Sequence, residues 1–506
     1  MNRIRESSVN TMQPSSHTAD ATQNRNVTIA ASRDSATITG AARILRTIIA
    51  ATSIKKSGWF VLLPILYNAT KILEHIDILI ENGKILRIDR GIDAPQAHVM
   101  DASGKLAVPG FMNGWHRAIA SLVSKSIAAD IKCTRFGDTP LYFRVNPFVN
   151  IAQEILSDEQ LKDLIRLSLY QTIESGTTSV LEYCSVRELP LYLELCEEFG
   201  VRTVACPALM SRKKLPEMDA WGNCRNELEP VNEADLIAWN REQVLATKGK
   251  LASAGIGLSS AESASESLMF EAGKAAFELD CTLMVAANET KQERETCLER
   301  YAMTPVQVLH KNHVLHKKTV VGGNQYAEKA DRVTLRSGTA AAALCPVQSL
   351  HDAQIAPFLD HQYDGIEILI GSGTTTVDMT RQVQALTLAG KLERRLRHQM
   401  RAQKTFFAVT TGGAQAASLP VGELEEGCAA DLMLVDLSSP HYHPFTMPIT
   451  DLIYEATPPD ITEVIVNGRV LKENGQVLGM NAGEVVCRAE QAMETIWTRA
   501  RETGVL

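Results

Sequence analysis

From about residue 150 to 410, short apolar runs alternate with stretches of helical period, and this alternation restricts the fold more than any other feature. The runs "TTSVLEY" (177–183), "RTVACPAL" (202–209), "CTLMVAA" (281–287), "KTVVGG" (318–323), "TAAAALCP" (339–346) and "IEILIGSG" (366–373) predict strands. "SDEQLKDLIRLSLYQTIESG" (157–176) predicts a helix, with Ser157 at its N-cap and Gly176 at its end. Repeated strand–helix units over about 250 residues predict a parallel sheet closed into an α/β barrel of the (β/α)8 type.

The flanks read differently. "HIDILIENGKILRI" (75–88) alternates apolar and polar residues around Asn82-Gly83, a dipeptide suited to a tight hairpin turn. "HVMDASGKLAVPGFMN" (98–113) reads as strand, turn, strand. Past about 417 strands return in "AADLMLVDL" (429–437) and "ITEVIVNGRVLKENGQVL" (461–478), with a second Asn-Gly turn at 467–468. Both chain ends therefore predict halves of one small composite β-domain, a β-sandwich. The expected boundaries are a tail over 1–57, the early half of the sandwich over 58–108, the barrel over 109–416, the late half of the sandwich over 417–480 and a C-terminal helix over 481–506. "KLERRLRHQMRAQK" (391–404) reads as a basic helix with a solvated face.

The chain of 506 residues is too long for one simple core, which suits a barrel plus a second domain. A net charge of −8 gives no reason to expect a nucleic-acid partner. Ten cysteines with no C-x-x-C pair read as reduced thiols in a cytoplasmic setting. "GWFVLLPIL" (58–66) is too short to cross a bilayer and is broken by Pro64, so no membrane partner is expected. Residues 1–57 hold eight Lys or Arg against three acids and many hydroxyl residues. That composition fits a disordered tail or an organelle-import segment, and Met12 offers a second start.

"PGFMNGWHRA" (109–118) has the look of a barrel strand about to deliver two metal-binding histidines, yet it delivers Trp115-His116-Arg117. With "MDASGKLAVPGFMN", "ESGTTSVLEY", "ANETKQERETCLERYAMTPVQVL", "LCPVQSL", "TVDMTRQVQAL" and "LPVGELEEGCAADLMLVDLSSPHYHP", the chain resembles the amidohydrolase superfamily, in its cyclic deaminase and triazine hydrolase (ATZ/TRZ-like) branch. The motifs keep family order from about 65 to 480. The resemblance implies a distorted barrel beside a composite β-sandwich, and an ancestral metal-dependent hydrolysis of C–N bonds.

In that branch the metal is held by His-x-His on the first strand, single histidines ending the fifth and sixth strands, and an Asp ending the eighth. Imidazole and carboxylate suit zinc or iron, which turn a bound water into hydroxide near neutral pH. Carried onto this chain, those positions hold Trp115, Arg117, Ala286, Gly323 and Gly373. Two further family histidines fall at Ala261 and Leu344. His116 falls on the alternate register and is expected to face away from the barrel interior. No metal is therefore expected; zinc or iron would return only with a different register. Glu289, which contacts substrate and shuttles protons in the family, is kept.

Arg117 and Glu289 are expected near the old metal position, with the guanidinium supplying the charge once given by the ion. Trp115 would stack on a flat ligand or fill vacated space. Asn324, Cys345 and Gln348 are the other candidate ligand contacts. Cys345 would be a nucleophile only with a base beside it. Three functions remain open. The first is a pseudo-hydrolase that binds a small heterocyclic or guanidino-type ligand or serves as a subunit, as a homo-oligomer or with an active relative. The second is a metal-independent enzyme of a specialised pathway, with Glu289 as acid/base and Arg117 stabilising charge. The third is an ordinary metal-dependent amidohydrolase.

Overall fold

The computed structural model describes residues 59–68, 71–125, 140–219, 223–225 and 229–505, so the expected tail lies outside the described residues. Eight parallel strands form the barrel: Phe111–His116, Thr177–Cys184, Arg202–Pro207, Ile256–Ser260, Leu283–Ala287, Thr319–Gly323, Ala341–Leu344 and Ile368–Ile370. Pairing runs unbroken from the first to the third strand and from the fourth to the eighth. The third and fourth are joined by Gly255 N–H donating to Ala205 O (2.8 Å) and Ser259 N–H to Leu209 O (2.7 Å). The ring closes where His116 bridges Gly373, whose N–H donates to Trp115 O at 2.9 Å.

Every residue of the second strand is buried, because helices cover its outer side while the barrel core fills its inner side. That is why the barrel strands read as short apolar runs and not as clean alternation. The inner face still follows the two-residue period. Leu181 and Tyr183 join Met112, Trp115, Met284 and Leu369 in the barrel core, while Val180 belongs to the outer cluster.

The helix predicted over 157–176 is Asp158–Glu174. Ser157 and Gln160 cap it reciprocally: Gln160 N–H donates to Ser157 Oγ at 3.3 Å, and the Gln160 side chain accepts Ser157 N–H at 3.0 Å. Gly176 then turns with φ +80, and a Cβ there would lie 2.4 Å from the Met433 sulfur. Glycine is needed twice over at this point, for the backbone conformation and for the close approach.

Two predictions are corrected. The fourth strand, Ile256–Ser260, is absent from the predicted set, because "IGLSS" carries only two large apolar residues. The basic stretch 391–404 is not one helix: Met379–Glu393 ends there, Arg395 turns left-handed (φ 52), and Ala402–Ala408 starts anew. Like charges three and four residues apart in Arg394, Arg397 and Arg401 oppose a continuous helix.

The composite β-domain is one nine-stranded sheet. At its seam Leu432–Asp436 from the late chain pairs antiparallel with Lys105–Pro109 from the early chain. Both Asn-Gly turns adopt left-handed conformations (φ 52 and 78; φ 50 and 74), as a two-residue hairpin requires. A Cβ on Gly83 would stand 2.7 Å from Asn467 Oδ1, so the two turns abut and the sheet curls round a shared core of Ile78, Ile80, Leu432 and Ile465. Helix Ala482–Glu502 buries Val485, Ala489, Ala492, Ile496 and Ala500, a stripe of helical period. Among the described residues no helix is long and apolar enough to cross a membrane.

Candidate active site at the barrel mouth

The first strand and the residue after it alternate faces, and this sorts the three residues in question. Trp115 points inward and is fully buried. His116 points outward: its Nδ1 meets Glu182 and its Nε2 meets Ser168 Oγ (3.0 Å) on helix Asp158–Glu174. Arg117 points back to the mouth, where it opens helix Ala118–Val123.

Trp115 takes up space that neighbouring strands leave free. A Cβ on Gly322 would lie 2.2 Å from its ring, and one on Gly371 would lie 2.5 Å from its Cβ. Its ring stacks on Tyr183 at 4.6 Å and 24°. Tyr183 is fixed in turn by donating its hydroxyl to Ser259 O (2.6 Å) and Leu258 O (3.0 Å).

The Arg117 guanidinium lies over the Tyr183 ring (4.9 Å) and the Trp115 ring (5.6 Å). Its Nη2 donates to Glu289 Oε2 at 2.9 Å. Burial alone would weaken its hold on its proton; the facing Glu289 carboxylate outweighs this and holds the guanidinium above its ordinary range. Glu289 follows the fifth strand. Its Oε1 accepts Gln348 Nε2 (3.2 Å), and its N–H donates to the Glu293 carboxyl (3.0 Å). Gln348 Oε1 accepts Thr374 N–H at 3.0 Å. A Cβ at Gly373 would sit 2.0 Å from that oxygen, so the Gln348 amide fills the place of a side chain at 373. Gly323 (φ +91) lies equally close to Glu289, with a Cβ 2.9 Å from the Glu289 Cβ.

A cavity with about 830 Å³ of empty space, some of it open to solvent, lies against this pair. Arg117, Tyr183, Ala286 and Glu289 form its floor. Leu141, Val145, Val149, Met210 and Leu215 give it an apolar wall, and Tyr142, Ser259, Glu188 and Glu293 add polar groups. Burial, with the Glu182 carboxylate behind it, pushes Glu188 up to about 7. Burial, with Glu262 adding repulsion, pushes Glu293 well above the usual carboxylate range.

Arg117 and Glu289 lie together as the sequence suggested, and Gln348 joins them as a hydrogen-bond donor to Glu289. Trp115, Asn324, Cys345 and Gln348, expected as ligand contacts, are not on the wall of this cavity; Gln348 lines a smaller neighbouring one. Trp115 is shut inside the barrel. Asn324 is fully buried and donates Nδ2 to Val321 O at 2.6 Å. Cys345 is buried too, and burial, with Glu289 nearby, pushes its thiol up, away from the nucleophilic thiolate. Sequence reasoning missed Tyr183, Glu188 and Glu293. Tyr183 was readable from the strand period. Glu293 stands four residues past Glu289 at the start of a helix. No sequence signal marks Glu188. Among the described residues no three His, Cys, Asp or Glu side chains are grouped to hold a metal ion.

A parallel barrel with its cleft at the C-terminal strand ends is the layout in which barrel enzymes carry their sites. Residues 107–471 match the amidohydrolase family model, and the chain belongs to that family. It is 26% identical over 438 residues to a 5-methylthioadenosine/S-adenosylhomocysteine deaminase of Aquifex aeolicus (strain VF5), covering 84% of this chain and 94% of that protein. It is 23% identical over 438 residues to a 5'-deoxyadenosine deaminase of Methanosphaera stadtmanae, covering 84% and 96%. An adenosine deaminase from Xanthomonas campestris with bound zinc superposes with a TM-score of 0.76 at 18% identity, over 87% of this chain and 99% of that one. Atrazine chlorohydrolase TrzN from Arthrobacter aurescens TC1, complexed with zinc, gives 0.75 at 17% identity, over 86% and 100%. The chain is thus a deaminase-like member of the amidohydrolase family.

Proposed function

We propose that this protein is a pseudo-hydrolase that binds a small nitrogen-rich molecule at the barrel mouth and runs no metal-assisted hydrolysis. The observation that carries this reading is the buried Arg117–Glu289 ion pair, 2.9 Å long, at the floor of the cavity. A metal that activates water needs three or more electron-pair donors and an open position. The five positions matched to ligands offer an indole, a guanidinium, a methyl group and two glycines. That set does not fit zinc or iron. A guanidinium offers no lone pair to a metal, and the carboxylate beside it is already taken by Arg117 and Gln348. The chain's own residues instead favour binding: the Arg117–Glu289 pair is held in place on the cavity wall, Tyr183 lies beneath the guanidinium, and the apolar wall excludes water. We take the assembly to be a homo-oligomer or a complex with an active relative.

The test is metal content together with turnover. Purified protein is expected to carry no stoichiometric zinc or iron. It is also expected to release no ammonia from 5'-methylthioadenosine or S-adenosylhomocysteine, with or without added zinc. A thermal-shift screen of purines, pyrimidines, triazines and guanidino compounds is expected to find a stabilising ligand. Stoichiometric metal whose chelation abolishes ammonia release would overturn the reading. A second reading, a metal-independent enzyme with Glu289 as acid/base, is favoured by the placement of Glu289 on the cavity wall. Metal-free turnover lost in Glu289→Gln would establish it.

A further inference from the structure

Two buried carboxyl groups on the cavity wall, Glu188 and Glu293, form no ion pair among the described residues. Glu188 opens helix Glu188–Phe199, and its Oε1 accepts the Gln153 amide. Glu293 uses one oxygen to accept the Glu289 N–H, while its Oε1 is buried and has no hydrogen-bond partner. Glu293 is only 3% exposed and Glu188 5%. Among the described residues neither forms an ion pair: Arg117 on the same wall is matched to Glu289, and Arg187 beside Glu188 reaches out to Asp158. Burying carboxyl groups without cations is unfavourable, and the fold has done so twice in one cavity whose remaining wall is largely apolar.

We propose that the cavity takes a flat amidinium- or guanidinium-type cation carried on an apolar body, with the Glu188 and Glu293 carboxylates as its counter-charges. The reading rests on the mouth being a ligand-binding site, as proposed above, and narrows the ligand to one charge class. A planar cation presents several N–H donors at once, and Glu293 Oε1 is an acceptor in want of one. The elevated Glu188 and Glu293 carboxyls fit groups that ionise fully only when a cation arrives. The apolar wall of Leu141, Val145, Val149 and Leu215 accommodates the body of the ligand.

Benzamidine and its neutral isostere benzamide provide the test, titrated calorimetrically into the full chain at pH 8. Benzamidine is expected to bind at least about tenfold more tightly, the order of one charge-assisted hydrogen bond over a neutral one. Glu188→Gln and Glu293→Gln are each expected to shrink that ratio several-fold, with their folding checked by circular dichroism. Equal affinities, no binding of either probe at millimolar concentration, or a ratio unchanged in both variants would overturn the proposal. If one variant does not fold, the other variant and the wild-type ratio still decide. The two proposals fail separately. Zinc-dependent ammonia release from a nucleoside sinks the pseudo-hydrolase reading and leaves the benzamidine ratio standing. Equal affinity for the two probes sinks the cation site and leaves the hydrolysis result untouched.

Discussion

A guanidinium and a carboxylate buried together hold each other in place, and either one left alone is a liability. Arg117 is 9% exposed and Glu289 5%, so removing one partner strands the other in surroundings that cannot solvate it. Arg117→Met and Glu289→Gln are each expected to lower unfolding free energy by about 3 kcal/mol. The double variant is expected to lose well under the sum, as read from denaturant unfolding of all four proteins in a double-mutant cycle. Strict additivity would mean the pair does not interact. The sequence made both partners legible, because Arg117 sits two residues from Trp115 in a motif-anchored strand and Glu289 sits in "ANET". What surrounds them was not legible. Tyr183 comes from a different strand and Glu188 from a helix with no motif, while Gln348, named in advance as a ligand contact, instead donates to Glu289 from a helix after the seventh strand. These meet only because the barrel brings their strand ends to one rim.

Strands of the late barrel carry almost no side-chain bulk where they face Trp115. Gly322 and Gly371 leave room for the indole, and Ala341 and Ala343 belong to the same core. A packed barrel interior balances one large residue against several small ones. Gly322→Ala would drive a methyl group into the Trp115 ring, and it is expected to cost about 1–3 kcal/mol of stability. Introduced into a Trp115→Leu background, the same change is expected to cost less than about 0.5 kcal/mol. Equal costs in the two backgrounds would show that the clash is not what the glycine avoids. This compensation lay partly open in the sequence, as Trp at one strand end with Gly and Ala on others. Its geometry did not, since register between strands far apart in the chain sets which glycine faces the ring. The fourth strand escaped prediction for a related reason. "IGLSS" shows little apolar pattern of its own, and it is a strand because the fifth strand supplies its ladder partner, with Ser259 N–H donating to Leu209 O on the other side.

The two chain ends reach one another through the sheet, and the sheet reaches the barrel through a buried carboxylate. Asp431, 1% exposed, accepts Arg202 at 2.6 and 2.9 Å and the Asn467 N–H at 2.8 Å. Arg202 begins the third barrel strand, Asp431 precedes the seam strand Leu432–Asp436, and Asn467 opens the late hairpin turn. One side chain therefore ties barrel, seam and turn together. The paired Asn-Gly turns announced the composite sheet from sequence alone, because a hairpin signal needs only local residues. The Arg202–Asp431 link has no local signal; 229 residues separate its partners. Arg202→Met strands a buried carboxylate and is expected to destabilise by about 3–5 kcal/mol. The way the loss is distributed tests the whole-molecule claim. If barrel and sheet unfold as one unit, hydrogen exchange will show amides of Val180–Leu181 and of Val464–Ile465 losing protection by the same amount in the variant. If the sheet amides alone lose protection while the barrel amides keep theirs, the sheet is a separately melting unit, and the seam at Leu432–Asp436 joins two domains that do not share their stability.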